Sequence, residues 1–137
     1  MKTKKILIVA STYNTKINNG LKNYALNQLN KHKWIQKSLI EVPGSFEIPS
    51  IIEKHIKKFD GFVALGCIIK GETNNFDLIS KSITDGLMYL SIKHKKPIGN
   101  GVITCFNQKQ ALNRRKKGKE AAYAVQKVLS LKINKLI

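Results

Sequence analysis

The stretch Ile68–Ile83, IIKGETNNFDLISKSI, decides how the chain folds. A β-branched apolar run stops at Lys70, a Gly71-Glu72-Thr73 turn follows, and an amphipathic segment opens near Phe76. This is a strand handing over to a helix. The N-terminus of such a helix carries free N–H groups and the positive end of the helix dipole, so it can hold a phosphate. The plain alternative is a turn and a helix cap, with Thr73 or Asn74 as the capping residue. Gly71 would let a ligand come close to the backbone, whereas Glu72 would repel an anion unless it points away. The turn ends in Asn74 and Asn75, and amides do not titrate.

Working outward, the same handover recurs along the chain. Ile6–Ala10 is a continuous apolar run, as expected of a strand buried on both faces. Ile17, Leu21, Tyr24, Ala25 and Leu29 follow at helical spacing. Trp34–Val42 reads as the next strand, and Phe46, Ile48, Ile51, Ile52 and Ile56 outline a helix able to start near Pro49. Phe62–Ile69 is a third strand, and Phe76, Ile79, Ile83, Leu87 and Leu90 form a helix stripe ending before Pro97. Ile98–Cys105 is a fourth strand, Ala111–Leu112 a short helical piece, and Glu120–Leu131 a last helix with Ala121, Ala124, Val125 and Val128 on one face. Strand and helix alternate four times, which implies a four-stranded parallel sheet between two helical layers, a three-layer αβα sandwich. Residues 1–137 carry no repeat or linker and read as a single domain.

Composition narrows the function classes. Lys and Arg number 25 against 8 Asp and Glu, a formal charge of +17. Only Arg114 and Arg115 are arginines, and the lysines are spread from Lys2 to Lys135 among many Asn and Ile. Nucleic-acid sites favour arginine and a concentrated patch, so the excess reads as surface filling and neither a nucleic acid nor a membrane is the expected partner. The apolar run after the N-terminal lysines is too short for a signal peptide, and no run is long enough to span a bilayer, so a cytoplasmic location is expected. Cys67 and Cys105 lie in strand-like stretches and read as inert buried thiols. His32, His55 and His94 sit in lysine-rich contexts away from the loops and read as surface residues. No nucleophile constellation and no metal-like spacing is seen.

In a parallel α/β sheet, ligands bind beyond the carboxyl ends of the strands. That rule selects STYN after the first strand, VPGSFE after the second, IIKGETNNF after the third and the region after Thr104. In VPGSFEIP, two prolines stiffen the loop and Gly44 permits a turn, while Glu47 beside an aromatic could bind a hydroxylated ligand. Tyr13 could end a strand or stack on a flat heterocycle. With ASTYN, ALGCIIKGETNNFD, GNGVITCFNQKQALNR and KGKEAA, these segments resemble the 6,7-dimethyl-8-ribityllumazine synthase family from about Ile6 to Leu131.

The resemblance implies a flavodoxin-like fold and an enzyme of riboflavin biosynthesis. It would be a transferase that condenses 5-amino-6-(D-ribitylamino)uracil with 3,4-dihydroxy-2-butanone 4-phosphate and releases phosphate, with no cofactor and no metal. By the family's motifs, Tyr13 would stack on the pyrimidine. Ser45, Phe46 and Glu47 would hold the pyrimidine and ribityl chain, with Cys67, Ile68 and Ile69. Glu72 and Thr73 would lie in the phosphate loop, with backbone donors mattering more than the Glu72 side chain, and Arg114 would pair with the phosphate. Asn100 would reach a neighbour's site in a homopentamer, which some members build into a shell. Riboflavin synthase is a candidate partner.

Some positions depart from the family pattern. Asn75 stands where the family has a histidine taken as proton carrier, so activity is expected to be weakened rather than abolished. The stretch between Arg114 and KGKEAA is short, and Lys116 or Lys117 could stand in for a lost basic residue. The alternative reading is a degenerate homologue that binds ribityl-heterocycles or forms a shell with little turnover. A basic nucleic-acid-binding flavodoxin-like domain is a third reading, and would predict salt-sensitive binding to any duplex.

Overall fold

A computed structural model describes residues 2–132. In chain order the elements are β1 Lys4–Ser11, α1 Thr15–Leu29, β2 Ile35–Val42, α2 Ile48–Lys54, β3 Gly61–Ile69, α3 Phe76–His94, β4 Ile98–Cys105, α4 Gln108–Asn113 and α5 Lys117–Ser130. Short 3₁₀ turns cover Ser45–Glu47 and Lys70–Glu72. The four strands are parallel in the order β2-β1-β3-β4. This is the three-layer, flavodoxin-like α/β architecture that the alternation of elements implies.

The two-residue period of the strands builds both halves of the core. Ile6, Ile8 and Ala10 of β1 and Val63, Leu65 and Cys67 of β3 pack against α1 and α5. Leu7, Val9, Phe62, Ala64 and Ile68 pack on the other face with Ile48, Ile52, Ile83 and Leu87. Every residue of β3 is buried, which is why its sequence is an unbroken apolar run. β2 is an edge strand, and its middle residues Gln36–Leu39 are exposed. α3 ends where Lys95 turns into the left-handed region (φ 56°), just ahead of Pro97.

Three details depart from the sequence reading. The helix after β2 starts at Ile48, and Phe46 lies in the preceding 3₁₀ turn, 64% exposed instead of in the core. The buried face of α5 is Ala121, Ala122 and Val125, while Ala124 and Val128 point outward. The helix starts earlier than expected, at Lys117, and Gly118 lies on its buried face. On α1, Tyr24 is partly exposed, while Asn18 and Gln28 are buried. The Gln28 amide donates to Gln126 Oε1 of α5 at 2.9 Å, so these polar side chains satisfy each other inside the helical layer.

Gly118 explains part of the KGKEAA motif. A Cβ there would overlap the Leu21 carbonyl of α1, so glycine sets how closely the two helices meet. Gly118→Ala is expected to destabilise the fold by about 1–3 kcal/mol through overpacking. The urea midpoint should fall with an unchanged slope. An unchanged midpoint would mean that α1 and α5 separate without cost.

Candidate functional site

The loops beyond the carboxyl ends of the strands come together because all four strands point the same way. The register of the central strands shapes the site. β1 and β3 pair only as far as Ala10 opposite Leu65. β3 runs on through Gly66, Cys67, Ile68 and Ile69, paired with β4 alone. Beyond Leu65 the β1-side backbone of β3 therefore has no β1 partner, leaving a notch beside the loops after β1 and β2. Cys67, Ile68 and Ile69 are themselves buried, so their side chains are not displayed to solvent at this notch.

Ser45, from the loop after β2, lies against β3 at Gly66. It is buried, and its Oγ has no hydrogen-bond partner among the described residues. A Cβ at Gly66 would collide with this hydroxyl, so a glycine in β3 is what allows Ser45 to sit against the sheet. Phe46 and Glu47, next in the chain, are exposed. Gly44 has an extended backbone (φ −148°), so its role is not the turn conformation expected of it. Glu47 Oε1 stands 3.2 Å from where a Cβ of residue 44 would be. On the β1 side, Tyr13 is 55% exposed. Its backbone is fixed at both ends: its N–H donates to Ser11 Oγ at 3.1 Å, and its carbonyl accepts from the Asn18 amide. The main chain is held while the ring stays free to meet a ligand.

The turn after β3 is the candidate anion seat. Gly71 has no positive φ, and nothing lies within 4 Å of where its Cβ would be. Neither backbone strain nor internal packing asks for glycine there, whereas close approach of a ligand would. Asn75, not Thr73 or Asn74, is the cap residue of α3, and its side chain makes no capping bond. The Thr73 hydroxyl instead accepts from Asn75 N–H at 3.4 Å. The Glu72 carboxylate accepts from Asn14 Nδ2 at 3.3 Å and from Gln108 Nε2 at 3.2 Å. Both donors lie on neighbouring loops, and neither contact was legible in the sequence.

Asn100 and Arg114 meet elsewhere. Both line a groove of about 620 Å³ outside the edge strand β4, with Thr104, Lys116, Lys117 and Glu120. Arg114 Nη1 donates to the Thr104 carbonyl at 3.1 Å, which holds the guanidinium at the end of β4. Lys117 Nζ is 3.7 Å from Glu120 Oε1, so its charge is partly answered, and Lys116 has no ion pair among the described residues. Of the two lysines, Lys116 is thus the freer cation.

The titrating groups are few. Burial, together with the charges of Cys105 and Glu72, pushes the Cys67 thiol up to about 12. Burial also raises Cys105, against the pull of Arg114. Neither thiol ionises near neutrality, in keeping with inert core cysteines. The histidines are half-buried and partnered away from these loops. His94 Nε2 lies 2.9 Å from Glu53 Oε2, His55 Nδ1 is 3.0 Å from the Ile51 carbonyl, and His32 packs on Trp34. Among the described residues there is no group of His, Cys, Asp and Glu able to hold a metal ion, and no helix long and apolar enough to cross a membrane.

Residues 3–132 match the family model described as 6,7-dimethyl-8-ribityllumazine synthase. A protein of that name from Bartonella tribocorum is 37% identical over 135 residues, covering 93% of this chain and 89% of its own. One from Bdellovibrio bacteriovorus is 35% identical over 133 residues, covering 93% of this chain and 74% of its own. One from Paenarthrobacter aurescens is 37% identical over 110 residues, covering 80% and 68%.

Proposed function

The chain belongs to the 6,7-dimethyl-8-ribityllumazine synthase family, and from that premise we propose that it makes this lumazine as a transferase of riboflavin biosynthesis. The substrates in this reading are 5-amino-6-(D-ribitylamino)uracil and 3,4-dihydroxy-2-butanone 4-phosphate, and phosphate is released. The observation that carries it is the notch where β3 outruns β1, with the unpartnered Ser45 Oγ beside it. A flat, hydrogen-bonding heterocycle is the kind of ligand that a strand edge of free N–H and C=O groups can hold.

Each proposed residue then has a task. The Tyr13 ring stacks on the pyrimidine, and the main chain of Cys67, Ile68 and Ile69 reads its edge. Ser45 offers its hydroxyl, and Phe46 and Glu47 face the ribityl chain. Gly71, Glu72 and Thr73 present backbone donors and the start of α3 to the phosphate. The two substrates join as an imine with loss of water, phosphate is eliminated, and ring closure expels a second water. The protein contributes mainly by holding the reactants together. Asn75, with no capping duty, can hydrogen-bond substrate but cannot carry a proton. That residue also favours a second reading, a homologue that binds ribityl-heterocycles or forms a shell with little turnover.

The active unit is a homopentamer or a multiple of five in this proposal. Asn100 and Arg114 share a groove outside an edge strand, the place where another subunit could dock. α3 also turns Leu78, Met88, Tyr89 and Ile92 outward, each at least 60% exposed. Apolar side chains repeated along one helix call for a partner surface. Native mass spectrometry should show multiples of five, and calorimetric titration should show one ribitylaminouracil bound per chain. A stable monomer at micromolar concentration, or no binding of this ligand, would argue against the reading.

A further inference from the structure

The geometry points to the Glu72 side chain as a positioning group that ties three loops into one rim, with Gln108 as its partner, its carboxylate making no contact to the phosphate. The inference rests on the proposed phosphate site and adds a residue, Gln108, outside the set expected to bind substrate. In the sheet order, β3 lies between β1 and β4. A side chain in the turn after β3 can therefore reach sideways in both directions. Glu72 does so: one carboxylate oxygen accepts from Asn14 at the start of α1, and the other from Gln108 at the start of α4. Lys70 adds a second tie to the β4 side, its Nζ 5.6 Å from the centre of the Phe106 ring.

This arrangement resolves the conflict posed by a carboxylate inside an anion seat. Each Glu72 oxygen is turned to an amide donor on a neighbouring loop, which directs the negative charge along the rim. The Gly71–Thr73 backbone donors are left to an incoming anion. The bonds are exposed and individually weak. Their effect is geometric: they hold the turn in register with the loops after β1 and β4, so loosening one loop loosens the seat. The one bond seen for the Gln108 amide donor among the described residues is to Glu72, so an influence of Gln108 on phosphate is expected to run through that carboxylate.

The test is a double-mutant cycle read by inorganic phosphate binding to the full-length protein. Gln108→Ala should weaken phosphate about 3–10-fold, a modest loss for one uncharged hydrogen bond. In a Glu72→Ala background the same change should have no further effect. Glu72→Ala alone should weaken phosphate by at least as much as Gln108→Ala. Glu72→Gln, which keeps one accepting oxygen, should fall between parent and Glu72→Ala. Tighter phosphate binding by Glu72→Ala would mean that the carboxylate faces the anion, and would overturn the inference. So would a Gln108→Ala effect that persists undiminished without Glu72. A parent protein that does not bind phosphate at all would instead overturn the phosphate site on which the inference rests.

Discussion

Asn75→His should raise kcat by up to ~10²-fold and leave KM for the phosphate substrate nearly unchanged. Asn75 caps α3 at the phosphate turn, its side chain makes no capping bond, and no imidazole is placed near the loops. A histidine there would place a titrating group beside the phosphate turn. The turn's backbone donors would be untouched, so substrate binding should not change. The variant should also gain a pH dependence with an inflection near the ~6.5 of an unperturbed imidazole. Steady-state kinetics of both proteins from about pH 5.5 to 8.5 bracket that value. Equal rates and identical profiles would mean that proton transfer at this position does not limit turnover. Lys116, the freer lysine of the β4 groove, would then be the next candidate to test.

Arg114→Ala should raise KM for the phosphate substrate ~10–10²-fold and leave KM for the ribitylaminouracil close to the parent value. Arg114 is proposed to pair with phosphate across the subunit contact at the β4 groove. Losing one charge-assisted contact costs roughly 1.5–3 kcal/mol, which corresponds to that range. Arg114 is one of two arginines in the chain. Arg115 is committed elsewhere: its Nε donates to the Leu112 carbonyl at 2.9 Å, and its side chain packs over Gly20. It is poorly placed to substitute. Equal losses for both substrates would assign Arg114 a structural role at the end of β4, where it already holds the Thr104 carbonyl.

The fold was largely legible because its strands are buried on both faces and bounded by clear stops. Ile98–Cys105 emerged with the bounds read from its apolar run after Pro97, and Phe62–Ile69 differed by one residue. Helix faces were less legible. A stripe of small residues is a weak signal: on α5, Ala121, Ala122 and Ala124 do not by themselves show which face is inward, and the buried one runs through Gly118, Ala121, Ala122 and Val125. Phe46 misled because an aromatic at helical spacing looks like core, although the chain spends it in an exposed 3₁₀ turn.

At the candidate site, the loops were identifiable from the strand-end rule, but the links between them were not. Glu72 meets residues 58 and 36 positions away, and no local pattern announces such a contact. The notch depends on where β1 stops pairing with β3, which is a property of register. The lysines were misleading in a similar way. They are dispersed along the chain, yet Lys2, Lys4, Lys5, Lys57, Lys58 and Lys96 line one groove near the N-terminal end of the sheet, opposite the candidate site. Parallel strands gather their N-terminal flanks at one end, so dispersed residues can become neighbours.

Holding two reactants together and turning them over is the work proposed for these loops. It is tested most directly by supplying ribitylaminouracil and the four-carbon sugar phosphate to the purified protein and following lumazine and phosphate together. Lumazine and phosphate should form in equal amounts, faster than in a protein-free control and only when both substrates are present. Binding of the ribitylaminouracil with no lumazine above that control would contradict the proposal, and would leave a homologue that binds the heterocycle without joining it to anything.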